Sequence, residues 1–184
     1  GGLEKIWEAL DWFRAETVKA CFPVLYLQVV LRGSWYNMSG IDGEPLGNQP
    51  EVFKKLAMDG LTHYQFVHMC NIDRDYPGIL EDVLEIWKGI EEDYEVPYYP
   101  HVSIGWDNNP RFEMFRPGVI TENTPENFEK ALREAKAYID AHPEQSPLIT
   151  INSWNEWTET SYLMPCTMYG YGYLEAVKRV FMEE

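Results

Sequence analysis

The chain has no apolar run near the roughly 20 residues needed to cross a bilayer, so no membrane-spanning helix is expected. It is also short of cations. Its 15 Lys and Arg stand against 30 Asp and Glu, for a net charge of -15. That balance argues against nucleic-acid phosphates and anionic membranes as partners, and it suits a neutral glycan. Cysteine is scarce: Cys21, Cys70 and Cys166 are scattered, with no CxxC or CxxH spacing. Neither a disulfide framework nor a structural zinc site is expected, and the free thiols favour a reducing, cytoplasmic setting. No glycine-rich phosphate fingerprint follows any apolar run, which lowers a nucleotide-binding reading. There is no initiator Met and no signal-peptide pattern before Gly1-Gly2-Leu3, so the natural start is expected upstream and targeting stays open.

What is present is an alternation of strand and helix patterns over 184 residues, read as one domain, 1–184. Leu3, Ile6, Trp7, Leu10 and Phe13 recur at helical spacing and predict an opening amphipathic helix. The run from Phe22 to Leu31 predicts a strand covered on both faces. A Gly- and Pro-rich loop then extends from Arg32 to Pro50, where Trp35-Tyr36-Asn37-Met38-Ser39-Gly40 offers an aromatic wall. A short helix is expected from Glu51 to Met58. Further strands are expected near Leu61–His68, Tyr98–Ile104 and Pro147–Ser153. Between them, Leu80, Val83, Leu84, Trp87 and Ile90 mark one helix. Phe128, Ala131, Leu132, Ala135, Tyr138 and Ile139 mark another, begun by Thr124-Pro125. A last helix is expected from Tyr171 to Met182. Loops after strands are long and polar, and loops before strands are short. That asymmetry fits a (β/α) barrel, and also an open doubly wound sheet.

The densest chemistry follows the last strand, in Trp154-Asn155-Glu156-Trp157-Thr158-Glu159 and Tyr162. Glu156 and Glu159, three positions apart in a tight turn, predict a carboxylate pair facing one cavity. Two close like charges push one pKa upward, so one acid can carry a proton while its neighbour stays charged. Aromatic rings alongside can stack on sugar faces. One strand earlier, Gly105-Trp106-Asp107-Asn108-Asn109-Pro110-Arg111 offers Trp106 as a wall. Asp107 and Asn108 are candidate hydroxyl ligands there, and Arg111 is a cation able to orient a carboxylate. Tyr64 and His68 share strand parity and are candidates for the rim; His63 points the other way, which speaks against a histidine metal clamp with His101. No metal or organic cofactor is expected.

These motifs resemble a known family. Trp154-Asn155-Glu156-Trp157-Thr158-Glu159, Tyr162-Leu163-x-Pro165 and Tyr169-Gly170-x-Gly172-Tyr173-Leu174-Glu175-Ala176 resemble the end of the glycoside hydrolase family 99-like domain. Its bacterial members are often labelled WbsX-type glycosyltransferases of polysaccharide clusters. Gly105-Trp106-Asp107-Asn108-x-Pro110-Arg111 and Thr124-Pro125-Glu126-Asn127-Phe128 are similar to its preceding unit. The likeness covers Thr62 to the C-terminus well and the first sixty residues in outline. It implies a (β/α)8 barrel of TIM type, with this chain as about four βα units, the C-terminal half. It further implies a retaining endo-mannosidase-like hydrolysis. In that reading Glu156 assists attack by the sugar's 2-hydroxyl, and Glu159 acts as general acid and then base. Asn155, Trp157 and Tyr162 would bind substrate. Three positions depart from the family: Thr158 replaces a histidine, Thr160 stands where glycine is usual, and Met164 where an acid is common. A glycosyltransferase of surface polysaccharide, or a non-catalytic glycan-binding module, are the other readings. A half barrel would leave two strand edges unpaired, to be met by a missing N-terminal half or by self-association.

Overall fold

The computed structural model describes residues 2–32, 37–40 and 42–183. Trp35 and Tyr36 of the expected aromatic wall lie outside the described residues. The order is α1 (Gly2–Lys19), β1 (Gln28–Leu31), β2 (Asn37–Ser39), β3 (Pro45–Asn48), α2 (Gln49–Lys55), β4 (Gly60–His63), α3 (Tyr76–Asp93), β5 (His101–Ser103), α4 (Pro125–Ala141), β6 (Thr150–Asn152) and α5 (Gly172–Phe181). One-turn 3₁₀ helices follow β4, β5 and β6, at Phe66–His68, Asn109–Arg111 and Trp157–Glu159.

Four strands, β1, β4, β5 and β6, run parallel and in chain order. β1 pairs with β4, Val29 opposite Leu61, and β5 pairs with β6, Val102 opposite Ile151. A parallel bridge from Leu61 to Tyr98 links the two pairs, through Leu61 N–H to Pro97 O and Tyr99 N–H to Leu61 O. β2 and β3 form a small antiparallel hairpin inside the segment read from the sequence as loop. Its strands are three and four residues long and carry Gly, Asn and Pro, so they show little alternation.

The helices follow their apolar spacing. Asp75 accepts from Gly78 N–H and begins α3, which buries Tyr76, Ile79, Leu80, Val83, Trp87 and Ile90. Thr124 accepts from Asn127 N–H ahead of Pro125, and α4 buries Phe128, Ala131, Leu132 and Ala135. These faces meet Leu61, Val102 and Ile104 of the strands, each almost wholly buried. α1 departs from expectation: it forms, yet buries no residue, and Ile6, Trp7 and Phe13 of its stripe stay about half exposed. β1 is shorter than the apolar run that predicts it; Phe22, Val24 and Tyr26 stay exposed ahead of it. β4 stops at His63 because the Gln65 side chain and Ser103 Oγ both take the Phe66 N–H, which starts the 3₁₀ turn.

The strand faces away from the helices are polar. Thr62 Oγ1 meets Thr150 Oγ1 at 2.9 Å, His101 joins Thr150 through Nδ1 at 2.9 Å, and its Nε2 meets Ser103 Oγ at 3.1 Å. Hydroxyls can donate or accept, so one neutral imidazole tautomer satisfies both contacts. His63 lies 2.8 Å from the Tyr98 hydroxyl. Burial, then the charge of His68, lowers its pKa to about 4; burial, then His63, lowers that of His101 to about 3. The unfolded chain takes up protons near 6.5 that these rings refuse when folded, so stability is full above pH 6.5 and falls as pH drops toward 4. The urea midpoint should therefore decline between pH 6.5 and 5, above the range where ordinary carboxylates titrate. His101→Asn should make the decline shallower, and a wild-type midpoint flat over that interval would contradict the assignment.

Candidate active site

Two loops build the site, those leaving β5 and β6. Their backbones are laced together: Asp107 N–H donates to Glu159 O at 2.8 Å, and Thr160 Oγ1 to Asp107 O at 3.3 Å. Gly105 permits this approach, since a Cβ there would lie 2.8 Å from Thr160 O and closer still to the Asn123 amide. Beneath them is a buried polar floor. Gln65 Nε2 donates to Asn152 Oδ1 at 3.0 Å and to Gly105 O at 3.3 Å. Ser161 Oγ donates to Asn152 O and Ser153 Oγ to Ser161 O. The turn itself is closed by reciprocal Glu156–Ser161 backbone bonds.

The carboxylates meet on one cation. Arg111 sends Nη1 to Glu159 Oε1 at 2.7 Å, Nη2 to Glu156 Oε1 at 3.0 Å and Nε to Thr158 Oγ1 at 2.9 Å. Thr158 passes the contact on, donating to Glu156 Oε1 at 2.7 Å. The guanidinium thus spends all three nitrogens here, in the planar fork that lysine cannot imitate. The two acids differ in surroundings. The Glu159 side chain is 8% exposed and that of Glu156 41%. Glu159 Oε2 is enclosed and has no protein hydrogen-bond partner among the described residues. Trp157 stacks on Tyr162 with centroids 3.9 Å apart and planes 24° off parallel.

The remaining expected residues divide. Asp107 spends its carboxylate on the N–H and side chain of Asn109, and Asn109 in turn pins both backbone groups of Arg116. Asn108 gives its carbonyl to Arg111 N–H and makes no side-chain cap. Trp106 is half-buried against the core, while Trp154 and Asn155 are exposed on the β6 loop. Tyr64 and His68 form a separate group: their rings lie 5.8 Å apart, with Arg32 over Tyr64 at 5.5 Å. Burial, then Arg32, lowers the His68 pKa. No hydrogen bond or ring contact ties either residue to the carboxylates among the described residues. His68 instead lines a cavity of about 280 Å³ with Leu31, Gln49 and His63. Gln65, Thr158 and Ser161 carry no role in the sequence reading. Gln65 was the findable one, a polar residue inside a strand-like run. Among the described residues, no group of three or more His, Cys, Asp or Glu could hold a metal ion.

A family model described as glycosyltransferase WbsX matches residues 3–177. Two curated relatives, each called uncharacterized protein WxcX, come from Xanthomonas campestris pv. campestris strain B100 and a second strain of that pathovar. Each is 29% identical over 113 residues, which is 59% of this chain and 16% of the relative. The chain therefore matches a small part of the length of those relatives.

Thr160 takes the left-handed conformation, φ 52° and ψ 36°, to close the turn between the acids and Ser161. A β-branched residue is poorly suited to it. Thr160→Gly should stabilise the protein by about 0.5–1 kcal/mol in urea unfolding, the loss of a long hydroxyl contact offsetting part of the gain. Thr160→Val keeps the strain and loses the hydroxyl, so it should destabilise. The reverse order would show that the turn is not held this way.

Proposed function

The chain belongs to the glycosyltransferase WbsX family, and from that premise we propose that it hydrolyses glycosidic bonds in a glycan, with Glu156 and Glu159 as its carboxylate pair. One observation carries the reading: Arg111 draws both acids, three positions apart in one turn, onto one guanidinium. Each leaves its Oε2 outside that fork: the Glu156 side chain is 41% exposed, and the Oε2 of Glu159 is enclosed. The resemblance assigns the acid role to Glu159, whose Oε2 has no protein hydrogen-bond partner among the described residues and must be uncovered for a glycosidic oxygen to reach it. Glu156, more exposed and fixed by Thr158, suits the role of base toward a sugar hydroxyl. In the retaining sequence Glu159 protonates the leaving oxygen while Glu156 takes the 2-hydroxyl proton as O2 attacks C1. Water then opens the anhydro sugar, giving its proton to Glu159, and Glu156 returns a proton to O2.

We further read the chain as four units of a (β/α)8 barrel. Support comes from four parallel strand segments in chain order, each leading to a helix, with the site at their C-terminal ends. The exposed stripe of α1 and, among the described residues, the single partners of β1 and β6 suit completion by a further segment of a longer protein or by a second copy.

The family description favours a second reading, transfer from an activated sugar donor. Two observations weigh toward hydrolysis. A diphosphate leaving group needs free cationic donors, but Arg111 is committed to the acids, and the chain carries -15 overall. Reducing-end release from a panel of mannans and bacterial surface polysaccharides, with water as the only acceptor, tests this. Glu156→Gln and Glu159→Gln should each lower turnover by roughly 10²–10⁴-fold while binding persists. Turnover that appears only with a nucleotide-sugar donor would favour transfer. Full activity in both variants would remove the pair from the chemistry.

A further inference from the structure

We propose that the groove lined by Trp157, Tyr162, Cys166, Met168 and Tyr171 is a second sugar-binding position, which holds a further residue of the glycan chain. The proposal rests on the hydrolytic reading of the carboxylate pair, because Trp157 joins the two places. Its neighbours Glu156 and Thr158 are in the Arg111 clamp, and its indole borders the groove.

Three features fit a sugar. The groove has a volume of about 570 Å³, within the range of small-ligand sites. None of its lining residues is formally charged at neutral pH, in a chain whose net charge is -15, so it suits a neutral ligand. Its walls are aromatic side chains and a thioether open to solvent: Tyr171 is 65% exposed and Met168 74%, beside the stacked pair of Trp157 and Tyr162. Such surfaces pack on the C–H faces of a pyranose while its hydroxyls stay hydrated.

The groove is also built in advance. Cys166 and Gly170 exchange two backbone hydrogen bonds, of 3.1 and 2.8 Å, and Tyr169 N–H donates to Cys166 Sγ. Gly170, at φ +54°, turns the chain there, and Gly172 N–H returns to Tyr169 O. Gly172 packs so close to Pro125 that a Cβ would sit 2.8 Å from Cγ, which fixes the start of α5 against α4. The backbone of this wall is fixed before a ligand arrives, which leaves only side-chain rotamers to order on binding.

Calorimetry on the chain carrying Glu156→Gln tests the proposal, using disaccharides and hexasaccharides of mannose, glucose and N-acetylglucosamine as probes. At least one hexasaccharide should bind roughly tenfold tighter than its own disaccharide. Tyr171→Ala should erase that gain and leave disaccharide affinity unchanged, with far-UV circular dichroism confirming an intact fold. No length-dependent gain with any probe overturns the proposal. So does a gain that survives both Tyr171→Ala and Tyr171→Ala/Met168→Ala. Turnover of the same saccharides by the wild-type chain reports separately on hydrolysis: binding gain without turnover sinks that reading alone, and turnover without gain sinks the groove alone.

Discussion

The site is organised by one guanidinium placed between two carboxylates. Glu156 and Glu159 sit in a turn too short to hold two negative charges close together without compensation. Arg111 supplies that compensation from the neighbouring loop, and its Nε fixes Thr158, which fixes Glu156 in turn. The contact has a structural consequence as well as a chemical one. It ties the exit of β5 to the exit of β6, next to the backbone bond from Asp107 to Glu159. Glu159 is buried, so an uncompensated charge there would be costly. The pairing of the two acids depends on this contact, and the joining of the two loops shares it with the backbone bond from Asp107 to Glu159.

The supports beneath the pair are of a different kind. Gln65, Asn152 and Ser161 form a polar floor with no formal charge, and the hydroxyls of Thr62, Thr150 and Ser103 continue it along the strands through His101. Satisfied polar networks of this sort fix one arrangement of side chains where apolar packing allows several. Thr160 adds a strained turn directly after the two acids. The floor and the turn hold Glu156 and Glu159 near the guanidinium.

Much of this was legible in the sequence where one residue type signals one local structure. Thr124-Pro125, followed by apolar spacing, marks the start of α4, and apolar spacing alone marks α3, whose Asp75 cap was not read from the sequence. The carboxylate turn and the Arg111 loop stand out as clusters of acids, rings and amides after apolar runs. The hairpin of β2 and β3 did not stand out, because strands that short carry too few alternating positions. The use of each polar side chain was not legible either. Asp107 spends its carboxylate on its own loop and Trp106 leans into the core, whereas parity grouped Tyr64 and His68 with the site and the fold sets them beside Arg32. Those outcomes depend on which backbone N–H groups need partners once the chain is folded, and no spacing rule reports that. The apolar stripe of α1 gave its helix correctly and its burial wrongly, since periodicity states that a face exists and not what covers it.

The most direct measurement is a double-mutant cycle in urea unfolding, with Arg111→Gln, Glu159→Gln and the two combined. A guanidinium bonded to a buried carboxylate predicts a coupling of about 1–2 kcal/mol, and the same cycle with the more exposed Glu156 should give less. Additivity of Arg111→Gln and Glu159→Gln to within about 0.5 kcal/mol would contradict the account, because the guanidinium and the buried carboxylate would then not be energetically coupled.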